Sequence, residues 1–430
     1  MQQATKAKSV TILALDPKTG RILGMGSRPT FDPTEYDKVT PDVRRNLSIG
    51  MSYEPGSTFK IITGSAALEE GVIQPTDTFP DPGYLRIPPR LITNWDSDQK
   101  PHGYPTFIQG MQLSSNVVLA QVGMKLTKEP FYTYLKAFGF GSKTGVDISG
   151  EESGLLIPKD KVRDIDLATM SFGQANSVTP IQLLTAISAV ANGGTLYRPY
   201  IVDKITTPDG QLVQQQKPTP VRQVISKATA MQMTKVLEQV VDDGTGNLAK
   251  IPGIKVAGKT GTAQKVDPKT GEYSTTDFIA SFAAYAPAED PQIAVLVIID
   301  TPREGDSHQG GTLGGPRAKA IIAGALQYYG LPVAKDTAST VTISPSDSPV
   351  RPSPKSVIPE RTPVSGEAIV PDLTGMTMRQ VGDILAKSEL HFNFSGSGLV
   401  SLQSPQAGKV VVKGTTVEVK FSSLTAINPQ

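Results

Sequence analysis

Tyr53-Glu54-Pro55-Gly56-Ser57-Thr58-Phe59-Lys60 joins a turn to the apolar run Ile61-Ile62-Thr63-Gly64-Ser65-Ala66-Ala67-Leu68. Pro55 and Gly56 are turn formers, so a helix is expected to begin at or just after Ser57 and to run to about Glu70, where Gly71 stops it. On that helix Ser57 and Lys60 are three apart and share a face. A hydroxyl beside an amine is a nucleophile beside a base. The free N–H groups of a helix N-terminus also favour developing negative charge. Ser-x-x-Lys is nonetheless a common spacing. Taken alone, it reads more simply as an N-cap, Ser57, followed by a solvated first-turn charge, Lys60. The run after Lys60 is apolar and rich in small residues, which predicts a central, buried helix. The rest of the chain decides between the two readings of Ser57 and Lys60.

The 430 residues allow about two to three domains. The chain is 38% hydrophobic and 19% charged, within the globular range, and its net charge of +2 gives no electrostatic footprint for nucleic acid. There is no cysteine, which excludes a disulfide framework, Cys-ligated zinc and a Cys nucleophile. A Cys-free chain suits an exported protein. The longest apolar run, Ile293 to Ile299, is strand-sized and not membrane-spanning. The start, Met1 to Lys8, lacks the apolar region of a signal peptide. Nothing in the sequence calls for a cofactor or a metal.

Val10 to Leu15 and Arg21 to Ser27 flank Asp16-Pro17-Lys18-Thr19-Gly20 and read as a β-hairpin. Phe31 to Asn46 is polar and is expected to be irregular. Residues 72 to 106 are rich in Pro, Gly and Asp, hold the only tryptophan, Trp95, and read as a long surface excursion near a cleft. Phe107 to Leu113 leads into Ser114-Ser115-Asn116, followed by helices over Val117 to Leu126 and Glu129 to Phe138. Gly139 to Leu156 is a loop, and Ser171-Phe172-Gly173-Gln174 a tight turn. Thr179 caps a helix that starts at Pro180 and ends at Asn192-Gly193-Gly194. A further helix spans Ser226 to Val241. Three strands are expected at Lys255 to Gln264, Phe278 to Ala286 and Gln292 to Asp300, in antiparallel order. A small-residue helix, Gly315 to Tyr329, should lie on their sheet, and the first hairpin should complete it. Residues 1–330 thus form one mixed α/β domain. Residues 331–366, rich in Pro, Ser and Thr, read as a linker. An independent α+β module spans 367–424, with a helix over Thr377 to Ser388 and a strand over Thr415 to Phe421, and 425–430 is a tail.

Lys-Thr-Gly occurs four times, at Lys18, Lys143, Lys259 and Lys269. Lys18 and Lys269 follow Asp-Pro and belong to turns, and Lys143 lies in a Gly-rich loop. Lys259 sits inside a strand run, between Val256-Ala257-Gly258 and Gly261-Thr262-Ala263. Small residues there let another backbone approach, so a peptide substrate can add as an extra strand near Thr262. Acyl transfer needs a nucleophile, a base and an oxyanion hole. Of the three histidines, His102, His308 and His391, none is tied to Ser57 by spacing. The available system is therefore Ser57 with Lys60. Burial and a second cation such as Lys259 would lower the Lys60 pKa enough for it to act as a base. Ser114 can relay a proton, and Asn116 can hold Lys60 or a substrate amide.

Ser57-x-x-Lys60, Ser114-x-Asn116 and Lys259-Thr260-Gly261 together, in this order, resemble the motif set of penicillin-binding proteins and class A β-lactamases. Tyr53 to Lys60 is similar to the class B penicillin-binding proteins in particular. So are Ser171 to Gln174 with Val178-Thr179-Pro180, Ala191 to Gly194, Ala257 to Ala263 and Asp277 to Phe282. The resemblance covers about residues 8 to 330, and Ser307 to Arg317 departs from the usual pattern. Val370 to Met376, Gln403 to Gly408 and Gly414 to Val417 resemble a PASTA module. The resemblance implies the penicillin-binding/β-lactamase-like transpeptidase fold, an antiparallel sheet flanked by helices, followed by a small α+β PASTA module.

It also implies a serine D,D-transpeptidase that crosslinks peptidoglycan stem peptides through a Ser57 acyl-enzyme and is inhibited by β-lactams. In that reading Lys60 deprotonates Ser57, and Ser114 carries the proton to the leaving amine. The backbone N–H groups of Ser57 and Thr262 form the oxyanion hole. Lys259, Thr260 and Thr262, around Gly261, bind the substrate carboxylate. Class B kinship further implies a membrane-anchored, extracytoplasmic enzyme of division- or sporulation-type wall synthesis, working beside a separate glycosyltransferase and divisome or sporulation proteins. It implies an N-terminal transmembrane helix and a pedestal domain, neither of which is in these residues. The alternatives are a D,D-carboxypeptidase, a β-lactamase-type hydrolase or a non-catalytic peptidoglycan-binding protein. A class A β-lactamase needs a Glu that activates the deacylating water, usually in a Glu-x-x-Leu-Asn segment, and the sequence has no such segment. The intact three-motif set argues against a purely non-catalytic role.

Overall fold

The structure is a computed structural model and describes residues 1–96, 101–267, 270–305, 307–333, 360–361, 363–364, 366–376, 378–396 and 399–422. The chain divides into two compact units, Met1–Thr337 and Ala338–Gln430.

The first unit is built on a five-stranded antiparallel sheet. Its strands are β1 (Ser9–Leu15), β2 (Ile22–Arg28), β5 (Ala257–Val266), β6 (Tyr273–Ala286) and β7 (Ile293–Asp300), in the order β2-β1-β7-β6-β5; β3 (Tyr84–Ile87) and β4 (Arg90–Thr93) form a separate hairpin. The first hairpin and the last three strands therefore share one sheet, as the sequence predicts. β7 is central and buried along its whole length, which is why it reads as a continuous apolar run. Its side chains alternate between two cores. Ala294, Leu296 and Ile298 face one, and Ile293, Val295, Val297 and Ile299 face the other.

The larger core packs against α1 (Lys60–Glu69), α3 (Asn116–Leu126), α4 (Pro180–Ala191) and α5 (Lys227–Asp243), with the short α2 (Phe107–Gln112) beside them. All twelve residues of α4 are buried. Its start is fixed by a capping box in which Thr179 Oγ1 accepts from the Gln182 N–H and Gln182 Oε1 from the Thr179 N–H. The second core is closed by α6 (Gly310–Tyr328), which buries Ala318, Ile322 and Leu326 at four-residue spacing.

Several expectations are corrected. The helical stretch does not begin at Ser57: a 3-10 turn, Gly56–Phe59, runs straight into α1, with Pro55 in the cap position. Phe31 to Asn46 holds a 3-10 turn, Pro33–Lys38, and a helical turn, Pro41–Arg44. α6 begins five residues before Gly315, because the Gly310 N–H donates to Thr262 Oγ1 (3.2 Å) and seats the first turn on β5. The described part of the expected surface excursion, residues 72–96 and 101–106, is tied together by its own backbone. Phe79 and Asp81 pair by backbone with Pro105 and Gly103, and the β3–β4 hairpin stands at its tip. A helix at Asp164–Met170 also precedes the Ser171 turn.

The second unit is a small α+β module. A helix, Met378–Lys387, accompanies a three-stranded sheet in the order His391–Gly396, Thr416–Ser422, Leu399–Ser404. The middle strand is parallel to the first and antiparallel to the last. Val417, Val419 and Phe421 alternate into a core with Val370, Leu373, Val381 and Leu385. Most of the expected linker (334–359, 362 and 365) and the tail 425–430 lie outside the described residues.

Candidate active site

Lys60 is the first residue of α1 and is wholly buried. Its Nζ donates to the Ser114 carbonyl (2.6 Å) and Asn116 Oδ1 (2.9 Å), and lies 3.4 Å from Ser114 Oγ. From the opposite side Lys259 Nζ, also wholly buried, donates to Ser114 Oγ at 2.8 Å. Ser114 is thus the meeting point of two buried amines contributed by a helix and a strand 199 residues apart in numbering from each other, the difference between 259 and 60.

Burial pushes the Lys60 pKa well below its ordinary value; the Lys259 charge pushes the same way, and Asp81 opposes both. Burial lowers Lys259 to about 7. Unfolded, that lysine binds its proton more tightly, so it contributes stability that rises with pH between about 7 and its ordinary value of 10.5. Neutral lysine has two N–H donors and one lone pair. The two short contacts of Lys60 use both donors and leave the lone pair to accept a proton.

Ser57 lies in the 3-10 turn and is partly exposed. Its hydroxyl makes no cap bond and, among the described residues, has no hydrogen-bond partner. The N-cap reading therefore fails, because the cap position has moved to Pro55 and the hydroxyl is left free. The neighbours of Ser57 touch β5. A side chain at Gly56 would lie 3.3 Å from the Thr262 carbonyl oxygen, and one at Gly261 would lie 3.0 Å from Thr58 Cγ2. Ser57 and Thr262 thus flank one seam, and both are partly exposed. β5 is the edge strand of the sheet, as an added peptide strand requires. Thr260 Oγ1 pairs with Thr245 Oγ1 at 3.0 Å and lies 3.3 Å from Lys259 Nζ. Gly261 sits opposite Ser281, whose Oγ would be 2.3 Å from any Cβ placed there.

Two of the other Lys-Thr-Gly lysines are surface residues. Lys18 pairs with Asp290 in its turn, and Lys143 is exposed. Lys269 lies outside the described residues.

Residues Ser171 to Ala175 are hydrogen-bonded to the residues on either side of Ser57. The Gly56 N–H donates to the Gly173 carbonyl (3.0 Å), Thr63 Oγ1 donates to the Ser171 carbonyl (2.8 Å), and the Ala175 N–H donates to Glu54 Oε1 (3.0 Å).

Ser114 has φ +57°, a left-handed conformation that disfavours any residue with a Cβ. It is the C′ residue of α2. Its N–H bonds the Met111 carbonyl and the Ser115 N–H the Gly110 carbonyl, the Schellman pattern that usually takes glycine. A serine there turns its carbonyl to Lys60 and its hydroxyl to Lys259 at a conformational cost. Ser114→Gly is therefore expected to be about 1 kcal/mol more stable than Ser114→Ala, although both lose the hydroxyl. Urea midpoints of the two variants measure the difference.

The sequence reading missed the layer beneath. Asp81, Asn94, Trp95 and His102 all reach the Ser114–Asn116 turn or the residues that hold it. Asn94 Oδ1 accepts from the Asn116 and Val117 N–H groups (2.9 and 3.2 Å), and Trp95 Nε1 donates to the Leu113 carbonyl (2.8 Å). The other two histidines are elsewhere: His308 stacks on Phe278, and His391 is exposed in the second unit.

Comparison with known proteins identifies the family and the fold. Residues 10–323 match the penicillin binding protein transpeptidase domain, and residues 368–423 match the PASTA domain. Stage V sporulation protein D of Bacillus subtilis is 39% identical over 95% of this chain and 60% of its own length. Peptidoglycan D,D-transpeptidase FtsI of Escherichia coli K12 is 31% identical over 75% of this chain and 52% of its own. The chain thus spans between half and two thirds of the length of these relatives. Penicillin binding protein 3 of Mycobacterium tuberculosis in complex with ampicillin superposes with a TM-score of 0.71 at 29% identity, covering 79% of this chain and 76% of that one. With the five-stranded sheet, the two buried lysines and the matched domain in place, the chain belongs to the penicillin-binding protein transpeptidase family and carries a C-terminal PASTA domain.

Proposed function

We propose that the protein is a class B serine D,D-transpeptidase that crosslinks peptidoglycan stem peptides and is acylated by β-lactams. The observation that carries this reading is the convergence of Lys60 and Lys259 on Ser114, one turn of helix from a free Ser57 hydroxyl. Ser57 Oγ attacks the carbonyl carbon of the penultimate D-Ala while its proton passes to the Lys60 lone pair. The oxyanion is held by the Ser57 and Thr262 N–H groups, each worth about 10²–10³ in rate by analogy with other acyl-transfer sites. Lys259, with Thr260 and Thr262, holds the terminal carboxylate. The C–N bond then breaks, and the terminal D-Ala leaves after its amine takes a proton through Ser114 Oγ. An amino group of a neighbouring stem peptide attacks the acyl-enzyme, its proton returns to Ser57 Oγ, and the crosslink is made. A β-lactam ring opens on the same nucleophile.

Kinship also supports an extracytoplasmic site of action, in division- or sporulation-type wall synthesis beside a separate glycosyltransferase. Among the described residues no helix is long and apolar enough to cross a membrane.

The test is a donor stem peptide ending in D-Ala-D-Ala, offered with and without an amine acceptor. Transpeptidation predicts crosslinked product and one released D-Ala per bond. Release of D-Ala at the same rate, with only hydrolysed donor, would make the protein a carboxypeptidase.

The two lysine pKa directions predict a bell-shaped pH profile for acylation by penicillin. It falls on the acid side as Lys60 gains a proton, and above about pH 7 as Lys259 loses the charge that holds the carboxylate. A β-lactam without the carboxylate should keep the acid limb and lose most of the alkaline one.

A further inference from the structure

Residues 77–96 and 101–106 hold a buried polar cluster that no step above uses. Asp81 is fully buried, and its carboxylate takes five hydrogen-bond contacts from four groups. These are the Gly83 N–H (3.0 Å), Asn94 Nδ2 on both oxygens (3.0 and 3.1 Å), His102 Nδ1 (2.9 Å) and Ser115 Oγ (2.7 Å). His102 is nearly enclosed, and its second ring nitrogen faces Asp96 Oδ2 at 2.9 Å. An imidazole flanked by two carboxylates donates from both nitrogens only as imidazolium. Burial pushes the His102 pKa down, but its hydrogen bonds to Asp96 and Asp81 and their charges outweigh burial, and the net shift is upward. The backbone locks this pair in place, because the His102 N–H donates to the Asp81 carbonyl and the Asp81 N–H to the Gly103 carbonyl.

The cluster ends on the catalytic turn at four points. The Ser115 hydroxyl donates to Asp81 Oδ2 (2.7 Å), and Asn94 Oδ1 lies 3.1 Å from the same oxygen. Asn94 Oδ1 receives the Asn116 and Val117 N–H groups, so it caps α3 from outside. The Thr93 carbonyl receives Asn116 Nδ2, which aims Asn116 Oδ1 at Lys60. Trp95 Nε1 holds the Leu113 carbonyl, one residue before the left-handed Ser114.

We propose that Asp81, Asn94 and His102, with Trp95, form a positioning device that sets the Ser114 carbonyl and Asn116 Oδ1 against Lys60 and so controls the rate of serine activation. The inference rests on the acylation chemistry proposed above. The device touches neither Ser57 nor the Thr260–Thr262 segment, so it acts on the bond-making step and not on the first binding of the ligand. Outer-layer partners that orient reactive groups elsewhere contribute about 10- to 100-fold.

The test is acylation by a fluorescent penicillin of the full chain and of His102→Gln, followed by stopped flow, with the acylation rate constant separated from the initial dissociation constant. The number of labelled sites per chain is counted in the same samples. The expected result is an acylation constant lowered about 10- to 100-fold, an initial dissociation constant within twofold, and full labelling at long times. A purely structural cluster would instead lower the labelled fraction and leave the rate constant of the labelled molecules unchanged; that outcome overturns the proposal. Trp95→Phe serves as the second variant, because Trp95 is 46% exposed and its loss opens no core. It removes one N–H and is expected to slow acylation several-fold, and an unchanged rate constant overturns the proposal even if His102→Gln does not fold. Failure of the unaltered chain to acylate would count against the proposed function itself.

Discussion

Lys60→Met is expected to lower the second-order rate constant for acylation by penicillin about 10³- to 10⁴-fold while leaving the protein folded. General-base catalysis by a positioned side chain contributes about 10²–10⁴ in rate, and the buried geometry places Lys60 at the upper end. The fold should survive because methionine fills a similar volume and removes the cost of keeping a polar amine out of water. The opposing term is the loss of a donor by the Ser114 carbonyl and Asn116 Oδ1, worth about 1–3 kcal/mol when a buried acceptor is orphaned. The two effects offset each other to within a few kcal/mol, so circular dichroism and the thermal midpoint should change little. Acylation kinetics carry the result: a loss below about tenfold would remove Lys60 from the role of base.

Gly173→Ala is expected to be among the most damaging single changes outside the lysines. Gly173 has φ +88°, and a Cβ there would stand 2.1 Å from the Gly56 carbonyl oxygen, 2.7 Å from its carbon and 2.8 Å from its nitrogen. All three contacts are backbone atoms, so no side chain can rotate away. One of the two turns must move, and the moving partner is the residue before Ser57. The expected cost is about 4 kcal/mol or more, the range reserved for severe steric and backbone conflicts. Any molecules that fold should acylate slowly. Gly150→Ala is the control. It has nearly the same backbone conformation, φ +89°, but nothing lies within 4 Å of the added carbon. Its cost should be the conformational term alone, about 1–2 kcal/mol. Equal denaturation midpoints for the two variants would show that the contact with Gly56 is not what makes Gly173 necessary.

The sheet and most helices were legible because their signals are local. The buried run of β7, the Thr179-Pro180 start of α4 and the Val417–Phe421 alternation each declare an element within a few residues. Lys259 was legible for a similar reason, since small residues on both sides mark a strand that something must approach. The turn of Ser57 was expected to open the α-helix, but it is a 3-10 turn and α1 starts at Lys60. A 3-10 turn and an α-helix share the same sequence signals at a Pro-Gly entry, and only hydrogen-bond geometry separates them.

The lower layer of the site left no local signal. His102 shows no spacing to Ser57, because it acts on Ser115 and Asn94 through Asp81, a residue 21 positions away that only the 81–103 backbone pairing brings close. The left-handed Ser114 was hidden for a different reason. The Schellman turn favours glycine, and a serine in that place is the opposite of what the sequence rule looks for. Both misses fall where local preference yields to the reacting groups, which is where local rules are expected to fail.

The central claim is that Ser57 is the acylated nucleophile. Its most direct test is to label the protein with penicillin, digest it and locate the adduct by mass spectrometry, with Ser57→Ala alongside. The account predicts one acyl group per chain, on the peptide containing Ser57, and no label on Ser57→Ala. An adduct on any other residue, or a label that persists in Ser57→Ala, would contradict it.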